Sequence, residues 1–437
     1  MSADLWWLVA VVVCVAGVAG WWWRVWLGRW WRGWGRWYLV GGPLLVLRVR
    51  WSWRRVADEC GLSVVRRPSW LLVSKDRMVA GRAVRPVAPK LWRVRVTPGG
   101  CAFRLKMHAG QVPDPYVGAA SAMAHAWRVH GVRVRELRRG WLMVHVTQSD
   151  PLGSVVRLPE VADPLLWPMV GLLDDGSPWA LDFRAVPHWL LVGATQSGKS
   201  TLVAALVVRL APQPVALVGI DLKGGMELGL FGARLSALAT SRDEARGLLE
   251  RLVERELASR MAACAAAGVR SVWELAPGDR PVPVVVLVDE VAELYLSDGS
   301  TEGRRAAAAC STSLLRLAQL GRALGMYLVV AGQRVGSDLG PGVTALRAQL
   351  GGRVCHRVTD PQTAVMALGD LSPDAVVAAQ SIGPGEPGVA VVAGSGGEWS
   401  RARSAYVSPE AAEAAAVRWS ERAPVLPSLL DGGEGLS

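Results

Sequence analysis

The stretch GATQSGKS at residues 193–200 constrains the fold of this chain more than any other. It satisfies G-x-x-x-x-G-K-[ST], with the apolar run HWLLV before it and the helix-forming run TLVAALVVRLA after it. Glycines in such a strand–loop–helix context let backbone N–H groups turn inward around phosphate oxygens, and the helix N-terminus adds a positive dipole. We therefore predict a P-loop nucleotide-binding site rather than a glycine-rich turn that only ends a strand.

The predicted cofactors are ATP and Mg²⁺. Lys199 is expected to contact the β- and γ-phosphates, and the Ser200 hydroxyl to bind the metal ion. The remaining predicted ATP-binding residues of this segment are Gly193, Ala194, Thr195, Gln196, Ser197, Gly198 and Thr201.

A second predicted element of the site is the acidic pair Asp289–Glu290, which ends the apolar run of VPVVVLVDEVAELY (residues 282–295). Two adjacent carboxylates after such a strand are costly unless a cation lies near them, and Mg²⁺ on a triphosphate supplies one. We predict that Asp289 holds the ion and that Glu290 deprotonates the attacking water. The alternative is a helix start, with Asp289 as the cap.

Gln333 and Lys223 follow two further strand-like runs. Gln333 ends the run GMYLVVAGQR, where its side chain would sense the γ-phosphate or the attacking water; a satisfied loop amide is the alternative. Lys223 lies in VALVGIDLKGGMELGLF, directly after Asp221. The second half of the chain has only two lysines, Lys199 and Lys223, and both fall inside motifs.

The N-terminus predicts a membrane anchor. Residues 5–23, LWWLVAVVVCVAGVAGWWW, contain no charge and would extend about 28 Å as a helix, close to the thickness of a bilayer core. The arginines that follow it place the rest of the chain on the cytoplasmic side of the cell membrane. A cleaved signal peptide and a two-span hairpin ending near residue 47 are the alternatives.

Charge and pattern divide the chain further. Residues 1–150 contain 24 Lys and Arg against 7 Asp and Glu, whereas residues 151–437 contain 25 against 30. A basic segment beside an apolar one suits an anionic membrane surface, with nucleic acid as the competing partner. The predicted divisions are 1–24 (transmembrane anchor), 25–59 (basic, Trp-rich juxtamembrane segment), 60–150 (small α/β adaptor), 151–408 (α/β motor) and 409–437 (C-terminal tail, part helix and part disordered).

Cysteine and histidine spacing predicts neither a disulfide framework nor a zinc site. The six cysteines include no C-x-x-C pair, and His125 and His130 are five residues apart, the wrong spacing for one helical face.

Six segments, in this order, resemble the FtsK/SpoIIIE family of DNA-translocating ATPases over about residues 165–408: GATQSGKS, IDLKGGMEL, ERELASRMAACAAAGVRSVWEL, VVVLVDEVAELY, RLAQLGRALGMYLVVAGQR and VTALRAQLGGRVCHRVTD. The size, single motor and single predicted span resemble the Tra-type proteins that transfer actinobacterial plasmids and integrative elements in conjugation. The resemblance implies a RecA-like P-loop motor, a parallel sheet with helices on both faces, that binds double-stranded DNA as a homo-oligomer, a hexameric ring.

Further roles come from the same resemblance. Arg322 matches the family's arginine finger, which completes the ATP site of a neighbouring subunit. Arg347 and Arg353 match loop positions that face the DNA channel, and Lys223 is added as a third predicted DNA contact. Partners among other transfer or cell-wall proteins are also expected.

Two departures from the family pattern affect these expectations. Val335 stands where the family often has proline after Gln-Arg, and the residues after Val407 are too few for a winged-helix reader of DNA sequence. Three alternative functions stay open: a type VII secretion-like ATPase that drives protein export, a chromosome segregation translocase, and a nucleotide-dependent membrane scaffold with little turnover.

Overall fold

The computed structural model describes residues 37–64, 86–97, 99–159, 161–296, 299–336, 339–369, 371, 373–394 and 398–430. The predicted anchor (residues 1–24) lies outside these ranges, as does the strand-like run at 69–74. Within the described ranges, no helix combines the length and apolar character that a membrane crossing requires. The chain forms two compact units, Met1–Pro151 and Leu152–Ser437.

The N-terminal unit is a four-stranded antiparallel sheet with helices packed on one face. In chain order its elements are α1 (Gly42–Glu59), β1 (Lys90–Thr97), β2 (Gly100–Lys106), α2 (Asp114–Gly118), α3 (Ala120–Trp127), β3 (Gly131–Arg138) and β4 (Trp141–Thr147). The strand order is β1-β2-β4-β3.

Alternation along the strands sends one set of side chains to the helices. Leu142, Val144 and Val146 of β4 are buried, and their neighbours Trp141, Met143 and His145 point to the opposite face. Helix α1 contributes buried residues at helical spacing, including Trp53, whose indole N–H donates to the Pro89 carbonyl at 2.7 Å. Burying each large side chain of this kind stabilises the fold by roughly 1.5–3 kcal/mol.

Helix α1 differs from its predicted assignment. The sequence analysis placed Gly42–Glu59 in a juxtamembrane segment before the adaptor. The structure instead packs Leu45, Val49, Trp53 and Val56 into the core of the small unit. The small α/β unit therefore begins before residue 60.

The described residues of the C-terminal unit form ten strands in one sheet. Its strands are β5 (Met169–Leu173), β6 (Pro178–Ala180), β7 (His188–Val192), β8 (Ala216–Ile220), β9 (Ala237–Ala239), β10 (Val284–Val288), β11 (Met326–Gly332), β12 (Gly352–His356), β13 (Val389–Ala393) and β14 (Trp399–Ser404). Its α-helices are α4 (Lys199–Leu210), α5 (Arg242–Arg251), α6 (Ala258–Ala266), α7 (Val291–Tyr295), α8 (Thr301–Leu324), α9 (Val343–Gln349), α10 (Pro361–Leu368), α11 (Pro373–Gln380) and α12 (Pro409–Arg418).

The sheet is mixed, which corrects the prediction of a parallel sheet. Its strand order is β6-β5-β14-β13-β12-β7-β11-β10-β8-β9. Strands β12, β7, β11, β10, β8 and β9 pair in parallel, as predicted for a motor core. The other half, from β12 through β13, β14 and β5 to β6, is antiparallel.

Helices cover both faces of this sheet. Strands β7, β8 and β10 are buried along their whole length, since each side chain meets a helical layer whichever way it points. Two hydrophobic clusters result, with α8 contributing to one and α4 to the other. The carboxyl ends of the parallel strands share one edge, where ligands bind in sheets of this kind.

The residues after β14 pack against the motor, which differs from the predicted tail. Ala412 and Ala416 of α12 enter one core cluster, and Leu426 and Leu429 enter the other. The described part of this segment, up to residue 430, is thus integrated into the C-terminal unit.

Candidate nucleotide-binding site

The P-loop between β7 and α4 has the backbone that its glycines predict. Gly198 has φ +108°, and a Cβ there would lie 2.3 Å from the amide nitrogen of Gly388. That amide in turn donates to the Ser197 carbonyl at 2.9 Å. Position 198 therefore requires glycine both for its conformation and for the close approach of the chain just before β13.

The P-loop also forms main-chain hydrogen bonds to the ends of the neighbouring strands β11 and β12. The Gly193 amide donates to the Gly332 carbonyl at 3.3 Å, and the Ala194 amide donates to the Arg357 carbonyl at 2.9 Å. The Arg357 guanidinium also donates to the Thr195 carbonyl at 3.2 Å. Arg357, which the sequence analysis did not select, thus contacts the loop through both its backbone and its side chain.

The loop borders a cleft of about 310 Å³. The cleft is lined by Ala194, Thr195, Gln196, Gly198, Lys199, Ser200, Thr201, Lys223, Glu227, Asp289, Gln333 and Pro387. Of the predicted ATP-binding residues, Gly193 and Ser197 do not line it. Ser197 is only 2% exposed, and a Cβ at Gly193 would lie 2.4 Å from its Oγ. Gly193 and Ser197 therefore contribute to the packing of the loop and not to the surface of the cleft.

Asp289 and Glu290 lie where β10 ends, beside the P-loop. The Lys199 Nζ is 3.4 Å from Glu290 Oε2, so the two motifs that are 91 residues apart in sequence meet in one cleft. Glu290 makes no capping hydrogen bond to α7, although it occupies the cap position. The Asp-capped helix start considered for this sequence is therefore not what the structure contains.

The donor set beside the cleft fits a magnesium ion. Asp289 is 3% exposed and its Oδ1 is buried without a hydrogen-bond partner. Burial raises the pKa of Asp289, while Lys199 and Lys223 oppose that shift. The described residues contain no cluster of three His, Cys, Asp or Glu side chains. An ion held by Asp289 and Ser200 would thus take its other ligands from phosphate and water, as Mg²⁺ commonly does.

Gln333 lies at the end of β11, opposite the acidic pair. Its backbone amide donates to Glu290 Oε1 at 3.2 Å, and its exposed side chain lines the cleft. The structure therefore brings Gln333 to the predicted place, with its main chain holding the carboxylate.

Lys223 lines the cleft beside the P-loop, whereas the sequence analysis expected it to contact DNA; that contact stays a prediction. Its Nζ is 3.5 Å from Glu290 Oε2 and 3.9 Å from Asp289 Oδ2. The fully buried Asp221 organises this loop: its carboxylate accepts the amides of Lys223 at 3.2 Å and Glu227 at 2.8 Å. The sequence analysis assigned no role to Asp221. Its position directly after the apolar run of β8 could have indicated that it lies at this edge of the sheet.

His356, at the end of β12, lies behind the loop. It is fully buried, and its Nδ1 is 3.2 Å from the Val389 carbonyl. Burial lowers the pKa of His356 to about 4, so the ring is neutral at pH 7. It contributes packing beneath Gly193, whose Cβ position would lie 2.8 Å from that of His356.

The three predicted arginines lie outside the cleft. Arg322 is exposed in the last turn of α8. Arg347 is half-buried in α9, with Nη1 3.5 Å from the Val335 carbonyl. Arg353 is 6% exposed and donates to the Arg347 carbonyl at 2.8 Å, and its role as a DNA contact stays a prediction. Arg353 ties β12 to the end of α9.

Comparison with known proteins decides the family. Residues 5–148 match the actinomycete conjugal transfer protein N-terminal domain, and residues 168–279 and 274–337 match the FtsK/SpoIIIE family. The transfer protein TraSA of Streptomyces ambofaciens is 43% identical over 395 residues, which cover 88% of this chain and 94% of that protein. The chain belongs to the FtsK/SpoIIIE family. Its similarity to TraSA and to the conjugal transfer N-terminal domain confirms the resemblance inferred from the motifs.

More distant relatives match a smaller part of the chain. The DNA translocase FtsK of Caldanaerobacter subterraneus is 27% identical over 291 residues. The match covers 62% of the present chain but only 39% of that FtsK protein. Among solved structures, the conjugation coupling protein TcpA of pCW3 with ATPγS superposes with a TM-score of 0.52 at 19% identity, covering 74% of this chain and 90% of that one. That similarity shows the P-loop ATPase fold.

Proposed function

We propose that this protein is a membrane-anchored, ATP-driven translocase of double-stranded DNA that moves plasmid or integrative-element DNA between cells in conjugation. The observation that carries the proposal is the convergence of Lys199, Asp289 and Gln333 on one cleft beside a P-loop, with the buried Glu290 carboxylate in contact with Lys199 and the Gln333 amide. Family membership supports DNA as the substrate that this ATPase moves. The anchor, the cytoplasmic orientation of the motor and the hexameric ring are part of the proposal.

Each residue of the cleft has a task in hydrolysis. The amides of the P-loop and the Lys199 ammonium would bind the phosphates, and Ser200 and Asp289 would hold Mg²⁺. The metal ion would offset negative charge on the triphosphate. Glu290 would accept a proton from the attacking water, while the Gln333 amide keeps its carboxylate in place.

DNA contact is assigned to Arg347 within the ring, and Arg322 is assigned to the ATP site of the adjacent subunit. Arg322 is exposed and does not line the cleft of its own chain, which agrees with a role in a neighbour. Contacts to phosphates position a duplex without reading its bases. Translocation would then be independent of DNA sequence unless another transfer protein supplies the choice.

The proposal predicts an ATPase that duplex DNA stimulates. We expect random-sequence duplex to raise steady-state ATP hydrolysis by the full-length, detergent-solubilised protein at least about tenfold, a barrier change of about 1.4 kcal/mol. Lys199→Ala serves as the control and should show no turnover with or without DNA. Turnover that DNA leaves unchanged, together with stimulation by a secretion-signal peptide, would contradict DNA translocation and support protein export.

A second prediction concerns Lys223. When ATP draws Lys199 to the phosphates, Lys223 is the cation that stays within 3.5 Å of Glu290. We expect Lys223→Met to lower kcat about tenfold, or about 1.4 kcal/mol, with little change in KM, and Lys223→Arg to restore part of the rate. Met226→Ala, on the same loop and 75% exposed, is the matched control. A raised KM with unchanged kcat would instead assign Lys223 to binding ATP.

A further inference from the structure

The face of the N-terminal sheet that the helices leave uncovered is basic and aromatic. We term this the basic sheet face, and the side chains that register places on it include Lys90, Trp92, Arg95, Arg104, Lys106, Arg133, Arg135, Arg138, Trp141, Met143 and His145. They alternate along the strands with the buried residues that pack against α1, α2 and α3.

One row of this face crosses all four strands. Lys90 lies directly opposite Lys106, Lys106 opposite Trp141, and Trp141 opposite Arg138. Since neighbouring strands are about 4.8 Å apart, the row spans about 14 Å. Like charges directly opposite one another destabilise a sheet. The pair Lys90–Lys106 therefore has a cost that an anion bound between the two ammonium groups would offset.

Carboxylates among the described residues of this unit lie elsewhere. Asp58 accepts from Ser63, Glu59 pairs with Arg55, and Asp114 lies in the first turn of α2. Glu136 lies opposite Leu142, on the side of the helices, and Asp150 is 3.5 Å from His130. Within the described ranges, none of them pairs with Lys90, Lys106 or Arg138.

The two tryptophans of the face lie beneath cations. The Lys90 ammonium lies 5.3 Å from the ring centre of Trp92, and the Lys106 ammonium and Arg138 guanidinium lie 5.9 Å and 5.5 Å from that of Trp141. The two rings contact each other edge to face at 6.0 Å. Cation–π contacts therefore order the charged groups and leave them outermost on the face.

We propose that the basic sheet face binds the phosphate backbone of duplex DNA, as a contact separate from the motor. A row about 14 Å long matches the width of the major groove, about 12 Å, so its two ends can meet phosphates on opposite sides of the groove. A bilayer surface would favour rings that insert between the headgroups, whereas these rings lie under cations. The inference rests on the proposed DNA partner.

The test compares two triple variants of the full-length, nucleotide-free protein in detergent. One carries Lys90→Gln, Lys106→Gln and Arg138→Gln, and the matched control carries Arg50→Gln, Arg54→Gln and Arg128→Gln, which removes the same charge from exposed positions of α1 and the end of α3. Affinity for a random-sequence duplex is measured against salt concentration. The sheet-face variant should bind about tenfold more weakly. Its salt slope should be smaller by about 2.7, because each phosphate that a cation neutralises adds about 0.9 to the slope.

The outcomes separate this inference from the proposed function. If the wild-type protein does not bind duplex DNA, the proposed function fails. If the wild-type protein binds and the sheet-face variant keeps its affinity and salt slope, only the present inference is overturned. It is also overturned if that variant keeps duplex affinity but loses binding to phosphatidylglycerol vesicles, which would assign the face to lipid headgroups. Replacing both lysines with arginine should preserve the slope. An unchanged far-UV circular dichroism spectrum and unchanged resistance to limited proteolysis show that the N-terminal unit of each variant is folded.

Discussion

Replacing Glu290 with Gln is expected to leave a protein that binds ATP and hydrolyses it about 10²–10⁴-fold more slowly, the usual contribution of a general base. Gln has the same shape and keeps an oxygen for the Gln333 amide, which donates to Glu290 at 3.2 Å. It lacks the negative charge and the basicity, so the attacking water keeps its proton. Steady-state hydrolysis and binding of a fluorescent ATP analogue measure the two steps separately.

The matched control for this substitution is Glu293→Gln, in the same short helix. Glu293 is half-exposed and lies 3.7 Å from Arg242, away from the cleft. It should change hydrolysis less than about twofold, since partly exposed ion pairs of this kind contribute little. Retention of most of the activity by Glu290→Gln would remove the general-base role from this residue.

Arg322→Ala is expected to lower hydrolysis about 10³–10⁵-fold without preventing ATP binding, the effect of losing an arginine finger. Arg322 is exposed at the end of α8, outside its own cleft, so its target would be the phosphates bound by a neighbouring subunit. Arg316→Ala, at an exposed position of the same helix, is the control and should retain activity.

Mixing variants distinguishes action between subunits from action within one. Neither Arg322→Ala nor Lys199→Ala should hydrolyse ATP alone. In a mixed ring, a subunit with an intact P-loop can lie beside one with an intact finger, so part of the activity should return. A mixture as inactive as its components would exclude Arg322 as a finger supplied by the neighbour.

Predictions from short sequence motifs agreed with the structure because their geometry is local. A P-loop needs only its own glycines and the strand and helix beside it, so Lys199 and Ser200 lie where the sequence indicated. Asp289 and Gln333 end buried parallel strands, and such ends necessarily meet at one edge of the sheet.

The orientation of side chains whose partners are distant in sequence could not be predicted from the sequence alone. Lys223 points into the cleft toward Asp289 and Glu290, which follow β10 and are more than sixty residues away in sequence. Arg353 is buried because α9 ends beside β12 and offers it a carbonyl. The antiparallel half of the sheet depends on the order in which β13, β14 and β5 pair, and short apolar runs do not determine that order.

The packing of the P-loop has a mechanical consequence. Its backbone is bonded on one side to the ends of β11 and β12, in the parallel half of the sheet, and on the other to Gly388, where the antiparallel half begins. The P-loop is thereby fixed to both halves of the sheet. It cannot shift relative to either half without breaking main-chain hydrogen bonds. Any conformational change on nucleotide binding would therefore arise from side chains and loops that close over the nucleotide. The ten-stranded sheet would move as a rigid body.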